Sequence, residues 1–245
     1  MTKLLLLIPV FAATAWVTQA NAVVLLTDNF DTNQSAVTFN DSLEEDQTGT
    51  LSPLSWTVSG GTSQTIRQDG RIIMNNQGAG FGGGWASLDY NFATSANAAN
   101  SPLNIQFTYW ADSAAGPSSW VGFGLGANQG AYFFDSPVGI AVTQNQIQTV
   151  KVLISNTAGT GSGFNGITNG ARVETFINGV SDNVATRTLT ANDGFITFRV
   201  AAGAWGGDSS WGLGHVDNLS VSLVPEPSTA LLSGLGILAM LRRRR

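Results

Sequence analysis

The chain has 245 residues, with 11 Lys and Arg against 16 Asp and Glu, a single histidine, no cysteine and a net charge of −5. Without cysteine there can be no disulfide or thiolate metal site, and one histidine cannot build a zinc site of two or three imidazoles within one chain. The acidic balance disfavours nucleic acid and anionic lipid, and favours cations or neutral partners such as polysaccharide.

The N-terminus reads as an export signal. Lys3 supplies positive charge, Leu4 to Val17 an apolar run, and Ala20-Asn21-Ala22 a small-x-small cleavage site. Residues 1–22 therefore form a signal helix, and the mature chain starts near Val23. The body from Val23 to Leu223 keeps 6 basic against 15 acidic residues, a net near −9. It shows no internal linker and is long enough for one domain with a real core.

Within the body, short alternating apolar runs are separated by Gly, Asn, Asp and Ser, the pattern of an all-β sandwich of two antiparallel sheets. Candidate strands are Arg71 to Met74, Asn104 to Trp110, Trp120 to Leu125, Val150 to Ile154, Arg172 to Ile177, Phe195 to Val200 and Leu219 to Leu223. Ile105, Phe107 and Tyr109 share one face of their strand, as expected when only one face meets the core. Asn33 to Gln47 and Thr157 to Asn169 read as long loops. Asn178-Gly179, between two strand-like stretches, marks a hairpin with a type I′ turn.

Catalytic chemistry finds little support. Glycan cleavage needs two carboxylates facing one another, yet Glu44 and Glu45 fall in a loop and Glu174 has no carboxylate at i+2 or i+4. His215 stands alone in WGLGHVDN with no G-x-S-x-G elbow, so it is expected to fill a strand end. Trp85, Trp120, Trp205 and Trp211, set among Gly and Ser, are the candidate carbohydrate-binding residues, because aromatic faces stack on sugar rings. Trp56 and Trp110, with apolar neighbours at strand spacing, are expected in the core. Gly122, Gly124 and Gly126 leave one face of a strand bare, which serves either a groove or the close approach of another layer.

The hairpin VETFINGV, the strand FITFRV and the closing HVDNLSV resemble the second half of concanavalin A-like and laminin-G-like jelly rolls, over roughly Arg172 to Leu223. Asp28-Asn29-Phe30-Asp31 and Asp217-Asn218-Leu219 are similar to the opening and closing phrases of carbohydrate-binding jelly rolls. The resemblance implies a jelly-roll β-sandwich with its first and last strands side by side. It also implies a structural calcium joining them, with Asp28, Asp31 and Asp217 as candidate ligands. The alternative is that Asp28 and Asp217 make turn hydrogen bonds at strand ends.

Residues 224–245 carry Pro225-Glu226-Pro227, the apolar run Thr229 to Leu241, and Arg242, Arg243, Arg244 and Arg245. As a short hydrophobic helix the run would extend only about 20 Å, less than a bilayer core of roughly 30 Å, and the arginines would resist translocation. This order of elements resembles the PEP-CTERM sorting signal. It implies export to the cell envelope, outer surface or extracellular matrix, transient membrane contact, and handling by secretion machinery and an exosortase-type membrane protease. Such proteins tend to accompany exopolysaccharide. The expectation is a non-enzymatic protein associated with exopolysaccharide; the alternatives are a secreted glycan-active hydrolase or lyase, and a purely structural or adhesive matrix protein.

Overall fold

Strand alternation decides the architecture: residues of one parity meet an apolar core, and those of the other parity face away from it. The computed structural model describes residues 22–33, Leu43 and residues 46–59, 64–76, 82–99, 101–111, 119–125, 146–156, 171–187, 194–202 and 212–224. In chain order the strands are β1 (Val23–Asp28), β2 (Gln47–Thr48), β3 (Trp56–Ser59), β4 (Gln64–Gln68), β5 (Ile72–Asn76) and β6 (Gly82–Asn91). After helix α1 (Phe92–Ala99) come β7 (Leu103–Ala111), β8 (Ser119–Leu125), β9 (Gln148–Asn156), β10 (Ala171–Ile177), β11 (Val180–Arg187), β12 (Phe195–Ala202) and β13 (Gly212–Leu223). They form two antiparallel sheets, as the jelly-roll reading requires. One is nine-stranded in the order β11-β10-β9-β7-β13-β1-β2, with β5 added to β13 and β4 to β5. The other is four-stranded in the order β3-β6-β12-β8.

The core lies between the sheets. Leu103, Ile105 and Phe107 of β7 pair with Ile154, Val152 and Val150 of β9, Tyr109 pairs with Gln148, and all are buried. The other sheet contributes Trp56, Val58, Ala86, Leu88, Phe123, Ile196 and Phe198. Aromatic rings join the layers: Trp56 contacts Phe30 and Phe198, and Phe107 contacts Phe123 and Phe198 at 4.9–5.3 Å. Trp56 is fully buried, but Trp110 is not in the core. It is half-buried on the opposite face of β7, because it has the other parity from Phe107 and Tyr109.

Three local devices position these strands. Asn178 and Gly179 take the left-handed conformations, φ 50 and 81°, that the hairpin turn between β10 and β11 needs. Gly49, at φ 122°, lies so close to β1 that a Cβ would come within 2.6 Å of the Leu25 carbonyl oxygen. Asn91 caps α1 by accepting from Ala93 N–H at 3.1 Å.

The last strand organises the large sheet. One edge of β13 pairs with β7 along its length, and the other is shared, first by β5 up to Val216 opposite Ile72 and then by β1 from Leu219 opposite Asp28. Asn218, at φ 52°, sits at the change of partner, where the register with β7 also shifts. The first and last strands are therefore neighbours. Among the described residues, no helix is long and apolar enough to cross a membrane. Residues 1–21 and 225–245 lie outside the described residues, and with them the signal helix, Ala20, the Pro225-Glu226-Pro227 turn, the hydrophobic run and the four arginines.

Candidate functional site

On β6 and β12 the parity that faces the core is held by Ala86, Leu88 and Phe198, which leaves Trp85, Ser87 and Thr197 on the outer face of the four-stranded sheet. Trp85 is 8% exposed yet lies outside the core cluster. Thr197 donates to Ser87 Oγ at 2.9 Å, and Ser87 donates to the Ile196 carbonyl at 3.3 Å, so the two buried hydroxyls satisfy one another locally. Trp85 differs: its Nε1–H finds no acceptor among the described residues. A buried donor left so costs about 1–3 kcal/mol.

The glycine strip belongs to this same sheet. Gly124 stands opposite Thr197, and Gly122 opposite Arg199, which in turn pairs with Trp85. An indole, two hydroxyls and a stretch of backbone without side chains thus occupy adjacent registers. These are residue types that hold hydroxyl-rich ligands, although Trp85, Ser87 and Thr197 are buried here. Trp85, singled out for its Gly and Ser surroundings, is on β6, and Trp120 is on β8 opposite Ala201. Trp205, Trp211 and Gly126 lie outside the described residues.

The opening and closing aspartates meet at the β1–β13 junction but do different work. Asp28 is fully buried and accepts from Trp56 Nε1 at 2.8 Å, Gln47 Nε2 at 3.0 Å and Phe30 N–H at 3.1 Å. Burial nevertheless holds its carboxyl above the ordinary range, against those hydrogen bonds and with a further push from Asp46. Asp46 is itself engaged by Thr32 and by Gln68 Nε2 at 2.7 Å. Asp217 is half-buried and accepts from its neighbour Asn218 through both N–H and Nδ2. Burial raises its carboxyl too; the Asn218 hydrogen bond and Arg71 oppose the shift, and Asp31 adds to it. Asp31 is exposed.

Asp28, Asp31 and Asp217 do not fit a shared calcium site, because Asp28 is sealed inside with three donors on its oxygens. Among the described residues there is no group of three or more His, Cys, Asp or Glu side chains placed to hold a metal ion. Composition alone could not find this network, since its donors come from Gln47, Trp56 and Gln68, residue types with many other uses.

His215 is buried in mid-strand, not at a strand end. Its Nδ1 accepts from Arg71 Nε at 3.2 Å, and its ring stacks on Trp110 at 4.7 Å with planes 14° apart. Arg71 also lies over Trp110 at 5.3 Å. Arg71 thus takes the position on Nδ1 where a catalytic triad would place an orienting carboxylate. Glu174 pairs with Arg172 at 3.0 Å on β10 and accepts from Ser181. Glu44 and Glu45 lie outside the described residues.

Three solved structures align with the chain at low identity. A sialidase aligns at 11% identity and TM-score 0.44, over 68% of this chain but only 17% of the sialidase. The carbohydrate recognition domain of Emp46p in its metal-free form aligns at 10% identity and TM-score 0.43, over 69% of this chain and 87% of that one. The alginate lyase Aly36B aligns at 14% identity and TM-score 0.44, over 82% and 96% respectively. No curated protein matches the sequence. Residues 223–245 match the PEP-CTERM protein-sorting motif, which identifies the chain as a protein sorted to the cell surface or exported.

Proposed function

We propose that the protein is a non-enzymatic component of the cell envelope or extracellular matrix that binds exopolysaccharide on the outer face of its four-stranded sheet. After passage through the secretion machinery, an exosortase-type membrane protease handles its tail. The observation that carries the binding reading is the position of Trp85: an aromatic side chain on the outer face of the small sheet, outside the core cluster and in register with the glycine strip through Arg199. The sorting motif supports delivery to a place where polysaccharide is met. A direct test measures retention of the exported protein on the producing cell's own exopolysaccharide, for wild type and Trp85→Ala. Loss of retention with the fold intact supports the reading; unchanged retention contradicts it, and release of shorter sugars by the wild type overturns the non-enzymatic part.

A calcium contribution would fall to Asp31 and Asp217, whose charges are near enough to interact. Millimolar calcium should then raise the Tm of wild type but not of Asp217→Asn, since a ligand bound only by the folded state stabilises it. No shift in wild type removes calcium from the account.

A further inference from the structure

The match to the sorting motif starts at Leu223, which is also the last residue of β13. Fold and processing signal therefore overlap, with no linker between them. Leu223 is paired on both sides, to Val23 of β1 and to Leu103 of β7, and it is a member of the core cluster. The next residue, Val224, donates its N–H to the Pro102 carbonyl at 2.9 Å. Proteins that grip an extended peptide do so largely through main-chain hydrogen bonds, and backbone already paired in a ladder cannot offer them. Pulling β13 free is not a local event, because this strand holds β1, β5 and β7 together.

We propose that the folded body sets the upstream limit of C-terminal processing: the membrane protease finds no bindable backbone up to Val224, and the released body keeps β13 whole. Cleavage adds water across a peptide bond on the C-terminal side of Val224. The body gains a carboxylate and the departing tail an amine. The N-terminal junction shares this place, since Val23, the expected start of the mature chain, lies opposite Leu223. Both processing junctions thus fall at one end of the β1–β13 ladder. The inference rests on the reading that the motif directs cleavage.

The test uses the full chain in its producing cells, with pulse-labelling to follow tail loss and tandem mass spectrometry to identify the C-terminal residue of the exported form. Three chains are compared: wild type, one with a six-residue Gly-Ser insertion between Val224 and Pro225, and one lacking Val224. The expected wild-type C-terminus lies at Val224 or later. The insertion should shorten the half-time of tail loss at least twofold, and the deletion should lengthen it by a similar factor, with Tm confirming that each body is folded. A C-terminus inside residues 212–223, or equal half-times in all three chains, overturns the inference while leaving the sorting role intact. An intact tail on every exported form overturns both.

Discussion

The β1–β13 junction and the outer face of the small sheet use their polar side chains differently. At the β1–β13 junction of the large sheet, Asp28 accepts from three donors and Asp46 takes up Thr32 and Gln68, so polar chemistry is spent on holding the chain ends together. On the outer face of the small sheet, Ser87 and Thr197 are satisfied but the Trp85 N–H is not. The junction is not fully closed either, since the buried Gln68 Oε1 finds no donor among the described residues; what sets Trp85 apart is its place on the outer face of the small sheet, outside the core cluster. The carboxylates expected from their phrases to form a ligand site therefore include one that is structural, while the residue proposed to serve a ligand is an indole on a strand.

Substitutions can break that comparison in order of effect. Trp56→Ala removes the fully buried ring that joins both sheets and donates to Asp28, and should cost about 3–5 kcal/mol by chemical denaturation. Asp28→Ala leaves the Trp56 N–H unpaired, while Gln47 Nε2 keeps the Leu54 carbonyl, and should cost about 2–3 kcal/mol. Either change acting on polysaccharide retention with stability untouched would erase the distinction between the sheets. Thr197→Val should cost only about 1 kcal/mol, the worth of its bond to Ser87, because Ser87 keeps the Ile196 carbonyl. A loss much larger than this would show that the small sheet's outer face is structural as well.

The smallest effect is that of pH. Asp28 and Asp217 both bind their protons more tightly when folded, chiefly through burial. Their stabilising contribution is therefore fully present below the ordinary aspartate value near about 4, and is lost as pH rises through the raised folded values. Moving from neutrality toward that range, wild type should gain stability relative to Asp217→Asn. A difference in Tm that stays flat or reverses sign on acidification contradicts the placement of Asp217.

Much of the framework was legible because strand parity is local. Ile105, Phe107 and Tyr109 declare a face within seven residues, and Asn178-Gly179 declares its turn within two. The same rule, applied strictly, would have put Trp110 outside the core; apolar neighbours in sequence masked its parity. β6 was missed because Gly82, Gly83 and Gly84 resemble a loop, although paired glycines in a sheet can mark close backbone approach. The Asp28 network was out of reach for a different reason. Its members are separated by 19 and 28 residues, and only the pairing of β1 with β2 and the packing of Trp56 bring them together.

The central claim is that Trp85 serves a ligand and not the core. Retention of exported wild type and Trp85→Ala on the cell's own exopolysaccharide, with Tm measured on the same samples, tests it most directly. The account predicts at least a tenfold loss of retention by a variant that stays folded. A variant that binds as well as wild type but melts markedly lower would show that Trp85 is structural, and would contradict the claim.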